Sequence, residues 1–252
     1  MKLQTERLTV RYAGAARPAL DGVSLTIPAG RLTAVLGPNG SGKSTLLRGI
    51  LGIASILRGS VELFGAPMPA RRQRWRLGYV PQRQTVTGGI PSTVSEIVRS
   101  GRLVRLRPWQ RASTVDRDHV RRAIEAVGLE RHARDTMSNL SGGQQRRVLI
   151  ARALASDADV LLMDEPTAGV DAATQVSLAR TMADLAGRGV TIVLVTHEIG
   201  PVASIVTRTV RMRDGRVVHD GPPEEADFHT HDVEHHHHED LESPGGRFGL
   251  PG

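Results

Sequence analysis

Residues 37 to 44 read Gly-Pro-Asn-Gly-Ser-Gly-Lys-Ser, and this stretch decides the fold. A strand predicted at residues 31–36 precedes it, and after it Leu46, Leu47, Ile50 and Leu51 recur with helical spacing. A strand, a glycine-rich turn and a helix in that order form the loop that binds phosphate through backbone N–H groups. We therefore expect nucleotide contacts from Gly37, Pro38, Asn39, Gly40, Ser41, Gly42, Lys43, Ser44 and Thr45. Lys43 is expected to bridge the β- and γ-phosphates of ATP, and Ser44 to ligate Mg²⁺.

A second motif narrows the class of phosphate-loop protein. The four apolar residues 160–163 lead directly to Asp164 and Glu165, which puts two carboxylates at the end of a buried strand. In open α/β sheets, ligands bind where the strands end. We expect Asp164 to hold Mg²⁺ through water and Glu165 to act as general base towards the attacking water. Kinases, GTPases and motor ATPases remain open at this point.

A third motif, Leu-Ser-Gly-Gly-Gln at residues 140–144, opens a predicted helix. This pentapeptide resembles the signature motif of the ABC ATPases. Ser141 and the amides of Gly142 and Gly143 would form a second anion site at a helix start. The resemblance implies that this site, with Gln144, faces the γ-phosphate bound by a second copy of the chain. A turn with an ordinary helix cap is the simpler alternative for five residues alone.

The resemblance also assigns four single residues. Gln82 matches the glutamine that contacts Mg²⁺ or water and senses the membrane partner, and His197 matches the switch histidine at the γ-phosphate. Asp171 matches the aspartate that couples the two sites of a dimer, although it could equally cap the helix expected from Ala172. Tyr12 matches the aromatic residue that stacks on adenine. Taken singly, each has an ordinary alternative as a solvated or packing residue.

The predicted fold class is α/β. It comprises a P-loop NTPase (RecA-like) core with a mostly parallel sheet, an antiparallel β-subdomain and an inserted α-helical subdomain. Residues 1–225 form the nucleotide-binding domain, with the helical subdomain at about 84–140, and residues 226–252 form a disordered tail rich in histidine and acidic residues. Strands are expected at Ser60 to Phe64, Leu77 to Val80, Val160 to Asp164 and Thr191 to Thr196. Helices are expected at Thr93 to Ser100, Val115 to Val127, Gly142 to Ala155 and Ala172 to Ala186. A hairpin is expected to turn on Asp214 and Gly215.

The distribution of charged residues argues against a nucleic-acid partner. The net charge is +7, but only two of the 33 basic residues are lysine, and arginine is spread along the whole chain. Aromatic residues, at 3%, are too few for base stacking. ABC ATPases that act on DNA or ribosomes are a second hypothesis, but they carry long coiled coils or two cores, and a phosphate-loop kinase has no use for the signature.

The segments that the sequence lacks are compatible with a cytoplasmic protein. There is no cysteine, no secretory signal and no apolar stretch approaching the roughly 18 residues of a membrane helix. The family resemblance then implies a homodimer bound to integral-membrane permease subunits at the cytoplasmic face of the membrane, served indirectly by a substrate-binding protein.

Within the family, the sequence is most similar to ATPases of zinc and manganese importers. The matching stretches are residues 78–83, 91–98, 101–102, 168–171 and 221–225. Importers of iron chelates, cobalt or nickel, and exporters, remain alternatives because they share several of these stretches. In the tail, His229, His231 and His235 to His238 alternate with carboxylates, a mixture that suits Zn²⁺. A solvated tail without a ligand is the competing interpretation.

Overall fold

The computed structural model describes residues 3–68, 74–82, 91–106, 109 and 112–227. Its strands are β1 (Leu3–Val10), β2 (Leu20–Ile27), β3 (Leu32–Leu36), β4 (Ile56–Leu63), β5 (Ala66–Pro67), β6 (Leu77–Val80), β7 (Val160–Asp164), β8 (Thr191–Val195), β9 (Val206–Arg213) and β10 (Arg216–Gly221). Its α-helices are α1 (Lys43–Ile50), α2 (Val94–Ser100), α3 (Thr114–Glu125), α4 (Gly142–Leu154) and α5 (Ala172–Gly187). The histidine-rich segment predicted to be a tail lies outside these residues, apart from its first two positions.

Two sheets divide the strands between them. The six-stranded sheet has the order β10-β9-β3-β8-β7-β6, parallel except for the antiparallel edge pair β9 and β10. The four-stranded sheet, β2-β1-β4-β5, is antiparallel throughout. Helices α2 and α3 are inserted between β6 and α4. The predicted fold class is confirmed.

The central strands β3, β7 and β8 are buried along their whole length, because both faces of the parallel sheet are covered. On one face, alternate residues such as Leu161 and Met163 join the apolar side chains of α2 to α5. On the other face, Val160 and Leu162 meet α1 and the antiparallel sheet. Each fully buried aliphatic side chain stabilises the fold by about 2 kcal/mol. This rigid sheet carries the site at the carboxyl ends of its strands.

The fourth strand is longer than the sequence predicted. We expected it at Ser60 to Phe64, but β4 begins at Ile56. Gly59, which reads as a turn signal, adopts a φ of +85° inside the strand, and a Cβ there would lie 2.3 Å from the carbonyl oxygens of Glu6 and Arg7. The pairing of β1 with β4 shifts register at the same place. The glycine therefore forms a bulge within a continuous strand.

The packed chain also continues two residues past the predicted boundary at 225. Asp227 is 1% exposed, accepts a hydrogen bond from Thr209 Oγ1 at 2.8 Å and pairs with Arg211 at 3.2 Å. Its carboxylate also accepts the N–H of Glu224 at 2.9 Å. The Thr209 and Arg211 donors attach residues 224–227 to β9, and the Glu224 N–H closes the turn within this segment. Within the described ranges, no helix is both long and apolar enough to cross a membrane.

Candidate active site

The glycine-rich loop joins the end of β3 to the start of α1, and two of its glycines have no tolerable substitute. Gly37 has a φ of +146°, and a Cβ there would lie 2.3 Å from the carbonyl oxygen of Met212. Gly42, the residue before α1, has a φ of +102°, and its Cβ would lie 2.7 Å from the carbonyl oxygen of Ala19. Gly40 has open space around it instead. The loop is thus fixed against the core and open at its tip.

Donor groups in this loop suit an anion. The Ser41 hydroxyl is buried and has no hydrogen-bond partner. The Lys43 ammonium donates to the carbonyl oxygens of Gly37 at 2.6 Å and Pro38 at 3.0 Å. Burial lowers the pKa of Lys43, and the nearby carboxylates of Glu165 and Asp164 offset part of that effect. An unsatisfied hydroxyl, a cation and a helix N-terminus together form a site for phosphate groups.

Carboxylates face the loop from the end of β7. Ser44 Oγ donates to Asp164 Oδ1 at 3.3 Å, which joins the first turn of α1 to the sheet. Burial raises the pKa of Asp164, and the Ser44 hydrogen bond opposes that rise. Glu165 follows with a φ of +45°, a costly conformation for a residue other than glycine. The hard oxygen atoms of Ser44 and Asp164 fit the ligand preference of Mg²⁺.

The Glu165 side chain is held from the neighbouring strand. Gln82, two residues after β6, donates its side-chain amide to Glu165 Oε2 through a short contact. The Glu165 backbone N–H donates to the carbonyl oxygen of Val195 at 2.8 Å, at the end of β8. His197 is exposed two residues further on. Three adjacent strand ends therefore bring Gln82, Glu165 and His197 to one edge of the sheet.

Tyr12 lies two residues beyond β1, beside the first helix. Its hydroxyl is 3.3 Å from Thr45 Oγ1 and accepts from Arg48 at 3.5 Å. Burial would raise the pKa of Tyr12, but the hydrogen bonds with Thr45 and Arg48 outweigh it and the net pKa is lowered. The side chain remains 41% exposed. An exposed ring beside the phosphate loop can take a flat base against its face.

The signature residues form a second group at the start of α4. Ser141 caps the helix: its Oγ accepts from the Gln144 N–H at 3.3 Å, and its N–H donates to Gln144 Oε1 at 2.9 Å. A Cβ on Gly143 would lie 2.4 Å from Thr174 Cγ2. Asp171 caps α5 and accepts from the Thr174 N–H at 2.9 Å. Ser141, Gly142 and Asp171 are exposed near one another, whereas Gln144 is half-buried and Gly143 is buried against Thr174.

The sequence did not reveal Arg146, which links the signature helix α4 to the segment that contains Gln82. Arg146, in the second turn of α4, donates to the carbonyl oxygen of Pro81 at 3.0 Å, directly before Gln82. Burial lowers the pKa of its guanidinium. The only sequence signal for this role is its place two residues after the signature pentapeptide, which does not reveal a contact 65 residues away.

Fold and site together define a nucleotide-binding P-loop protein. The family model described as "ABC transporter" matches residues 20–168, and the chain belongs to this family as an ATP-binding, ATP-hydrolysing subunit.

Individual relatives agree with this assignment. The chain is 41% identical to the zinc transport system ATP-binding protein TroB of Treponema pallidum (strain Nichols), over 87% of this chain and 80% of that protein. It is 39% identical to the manganese transport system ATP-binding protein MntB of Bacillus subtilis (strain 168), over 78% and 77%. It is 40% identical to the hemin import ATP-binding protein HmuV of Nocardia farcinica (strain IFM 10152), over 84% and 73%. A solved dimeric structure of MJ0796, a bacterial ABC transporter cassette, is 30% identical with a TM-score of 0.73, over 87% of this chain and 98% of that one.

Proposed function

We propose that this chain is the ATPase of a divalent-metal importer for zinc or manganese, acting as a homodimer at the cytoplasmic face of a membrane permease. The observation that carries the catalytic part is the contact of Gln82 with Glu165 beside the phosphate loop. The contact holds a carboxylate near Lys43 of the phosphate loop, which supports Glu165 as the general base.

In this proposal, different residues of the chain have different roles in ATP hydrolysis. Lys43 donates hydrogen bonds to the β- and γ-phosphate oxygens, together with the loop N–H groups. Ser44, Asp164 and Gln82 would hold Mg²⁺, which supplies charge neutralisation on the phosphates when bound. Glu165 accepts a proton from the water that attacks the γ-phosphate, and His197 contacts the same phosphate group.

A dimer completes the site. Ser141, Gly142 and Asp171 are exposed, and the hydrogen bonds of Ser141 and Asp171 are local ones at their own helix starts. The N–H groups of an exposed helix start can bind the nucleotide of a second chain. The dimeric cassette of MJ0796 supports this arrangement.

Similarity to TroB and MntB supports zinc or manganese as the substrate. Similarity of nearly the same degree to HmuV makes an iron chelate the second candidate. Deleting the gene in its source organism tests both: we expect lower cellular zinc or manganese by mass spectrometry, restored by the wild-type gene and not by Glu165→Gln. Normal metal content with impaired growth on haem would overturn the metal assignment in favour of the chelate.

The Glu165→Gln substitution tests the general base. It removes the proton acceptor and leaves Lys43, Ser44 and Asp164 in place, so kcat should fall by about a hundredfold or more while ATP affinity is kept. Glu6→Gln, an exposed position on β1, is the matched control and should leave turnover unchanged. Hydrolysis by Glu165→Gln at a rate close to that of the control would refute the assignment.

The Ser141→Arg substitution tests the two-chain site. Alone, it should bind nucleotide normally and fail to hydrolyse it. Mixed in equal amounts with Glu165→Gln, it should regain about a quarter of the wild-type rate, because half of the dimers then hold one intact composite site out of two. A mixture as inactive as its two components would contradict independent composite sites.

A further inference from the structure

A histidine outside the family motifs contacts the signature glutamine. His132 closes the short 3₁₀ turn Glu130–His132, and its Nε2 lies 3.1 Å from Gln144 Nε2. Its Nδ1 lies 2.7 Å from Asp135 Oδ2. A chain of hydrogen bonds therefore runs from Asp135 through His132 and Gln144 to the backbone of Ser141.

Only one assignment of donors and acceptors is consistent with this series of hydrogen bonds. The Ser141 N–H can only donate, so the atom of Gln144 that faces it at 2.9 Å is the carbonyl oxygen. The amide NH₂ of Gln144 must then face His132, and it can only donate. His132 Nε2 consequently accepts, and the single ring proton is on Nδ1, where it is donated to the Asp135 carboxylate.

We propose that neutral His132, with its proton on Nδ1, is a positioning residue that holds the Gln144 amide in place and thereby fixes the Ser141 turn that serves the nucleotide of the second chain. The inference rests on the proposed function, since the turn matters only if the signature acts in hydrolysis. Asp135 sets the tautomer of the ring, and the ring sets the orientation of the glutamine.

The proposal depends on an acceptor at Nε2. If that acceptor is lost, the amide of Gln144 is free to turn its NH₂ group towards the Ser141 N–H, and the reciprocal cap fails. The groups that face the ring in the described part of the chain are the Asp135 carboxylate from the following turn and the neutral Gln144 amide from α4.

Two substitutions of His132 distinguish the loss of its hydrogen-bond acceptor from a change in packing. His132→Leu fills similar space without an acceptor, whereas His132→Gln keeps a carbonyl oxygen at a similar reach. We expect His132→Leu to lower kcat about three- to tenfold, the effect of one lost side-chain hydrogen bond, with KM for ATP unchanged. His132→Gln should stay within about twofold of wild type. Thermal melting of both variants checks that they are folded.

Two results would overturn the inference: a normal kcat for His132→Leu, or an equal loss of kcat for His132→Leu and His132→Gln. Failure of the proposed function is distinguishable, because wild type itself would then hydrolyse no ATP or Glu165→Gln would hydrolyse it normally.

Discussion

Arg102 offers the sharpest test of how the inserted helices are attached to the core. Its side chain is 6% exposed, and the residue lies two positions after the end of α2. Nε and Nη2 donate to Asp116 Oδ1 at 3.0 and 2.8 Å, and Nη1 donates to the Ala155 carbonyl oxygen at 2.9 Å and to Asp157 Oδ2 at 3.0 Å. One guanidinium thus joins the end of α2, the first turn of α3 and the end of α4.

The loss in the free energy of unfolding caused by Arg102→Met depends on which partners Asp116 and Asp157 keep. Breaking a buried ion pair costs about 3–5 kcal/mol when a charge is left without partners. Here Asp116 keeps the N–H and Oγ of Ser113 at 2.8 and 2.7 Å, and Asp157 keeps Arg105 at 2.6 Å. Both carboxylates therefore remain partly satisfied. We expect the lower end of the range, a loss of about 3 kcal/mol in the free energy of unfolding.

Urea unfolding followed by circular dichroism measures this loss, and a thermal melt should show a fall in Tm of about 6–12 °C for a chain of this size. Arg99→Met is the matched control: it removes the same charge from an exposed position on α2 and should change stability by less than about 0.5 kcal/mol. A loss below about 1 kcal/mol for Arg102→Met, or an equal loss in both variants, would refute the reasoning.

Two further predictions concern acid stability and the histidine-rich segment. Hydrogen bonds from Ser113, and then from Arg102, lower the pKa of Asp116 from 3.8 to about 2. Because the pKa of Asp116 is depressed in the folded state, this carboxylate contributes about 2 kcal/mol to the free energy of unfolding above pH 4, and the contribution is lost as the pH falls towards 2. The urea concentration at the unfolding midpoint, measured as a function of pH, should show this loss in wild type and not in Asp116→Asn. Truncation after Asp227 should leave ATPase activity unchanged and remove a weak Zn²⁺ site whose affinity falls between pH 7 and about 5.5, as calorimetry would show. Equal zinc binding by full-length and truncated protein would contradict the second prediction.

Much of the fold could be predicted because local chemistry specifies it. The stretch from β3 to α1 needs glycines at fixed places, and Val160 to Asp164 is a continuous apolar run that ends in a carboxylate, as buried parallel strands do. The final hairpin is another such case. Asp214 and Gly215 have φ values of +49° and +75°, which is the conformation that an Asp-Gly turn favours.

Other features could not be predicted because they depend on residues far apart in the chain. Glycine is typical both of turns and of β-bulges, so the residue type at position 59 does not distinguish them. Only the close approach of Gly59 to β1 shows that it forms a bulge. The ion pairs of Arg102 join positions up to 55 residues away. His132 shows no pattern of its own, since its significance arises only when the turn containing it lies against Gln144.

These long-range contacts converge on one helix. The first turn of α4 is held by His132, its second turn is joined through Arg146 to the Pro81 carbonyl oxygen, and the carbonyl of Ala155 after its last residue accepts from Arg102. Pro81 precedes Gln82, which contacts Glu165. A displacement of the 81–82 segment would therefore act on the Glu165 side chain and on helix α4 together. Since an α-helix held at both ends moves as a unit, residues 140–144 and Glu165 of the same chain have a direct physical route by which each can respond to the other.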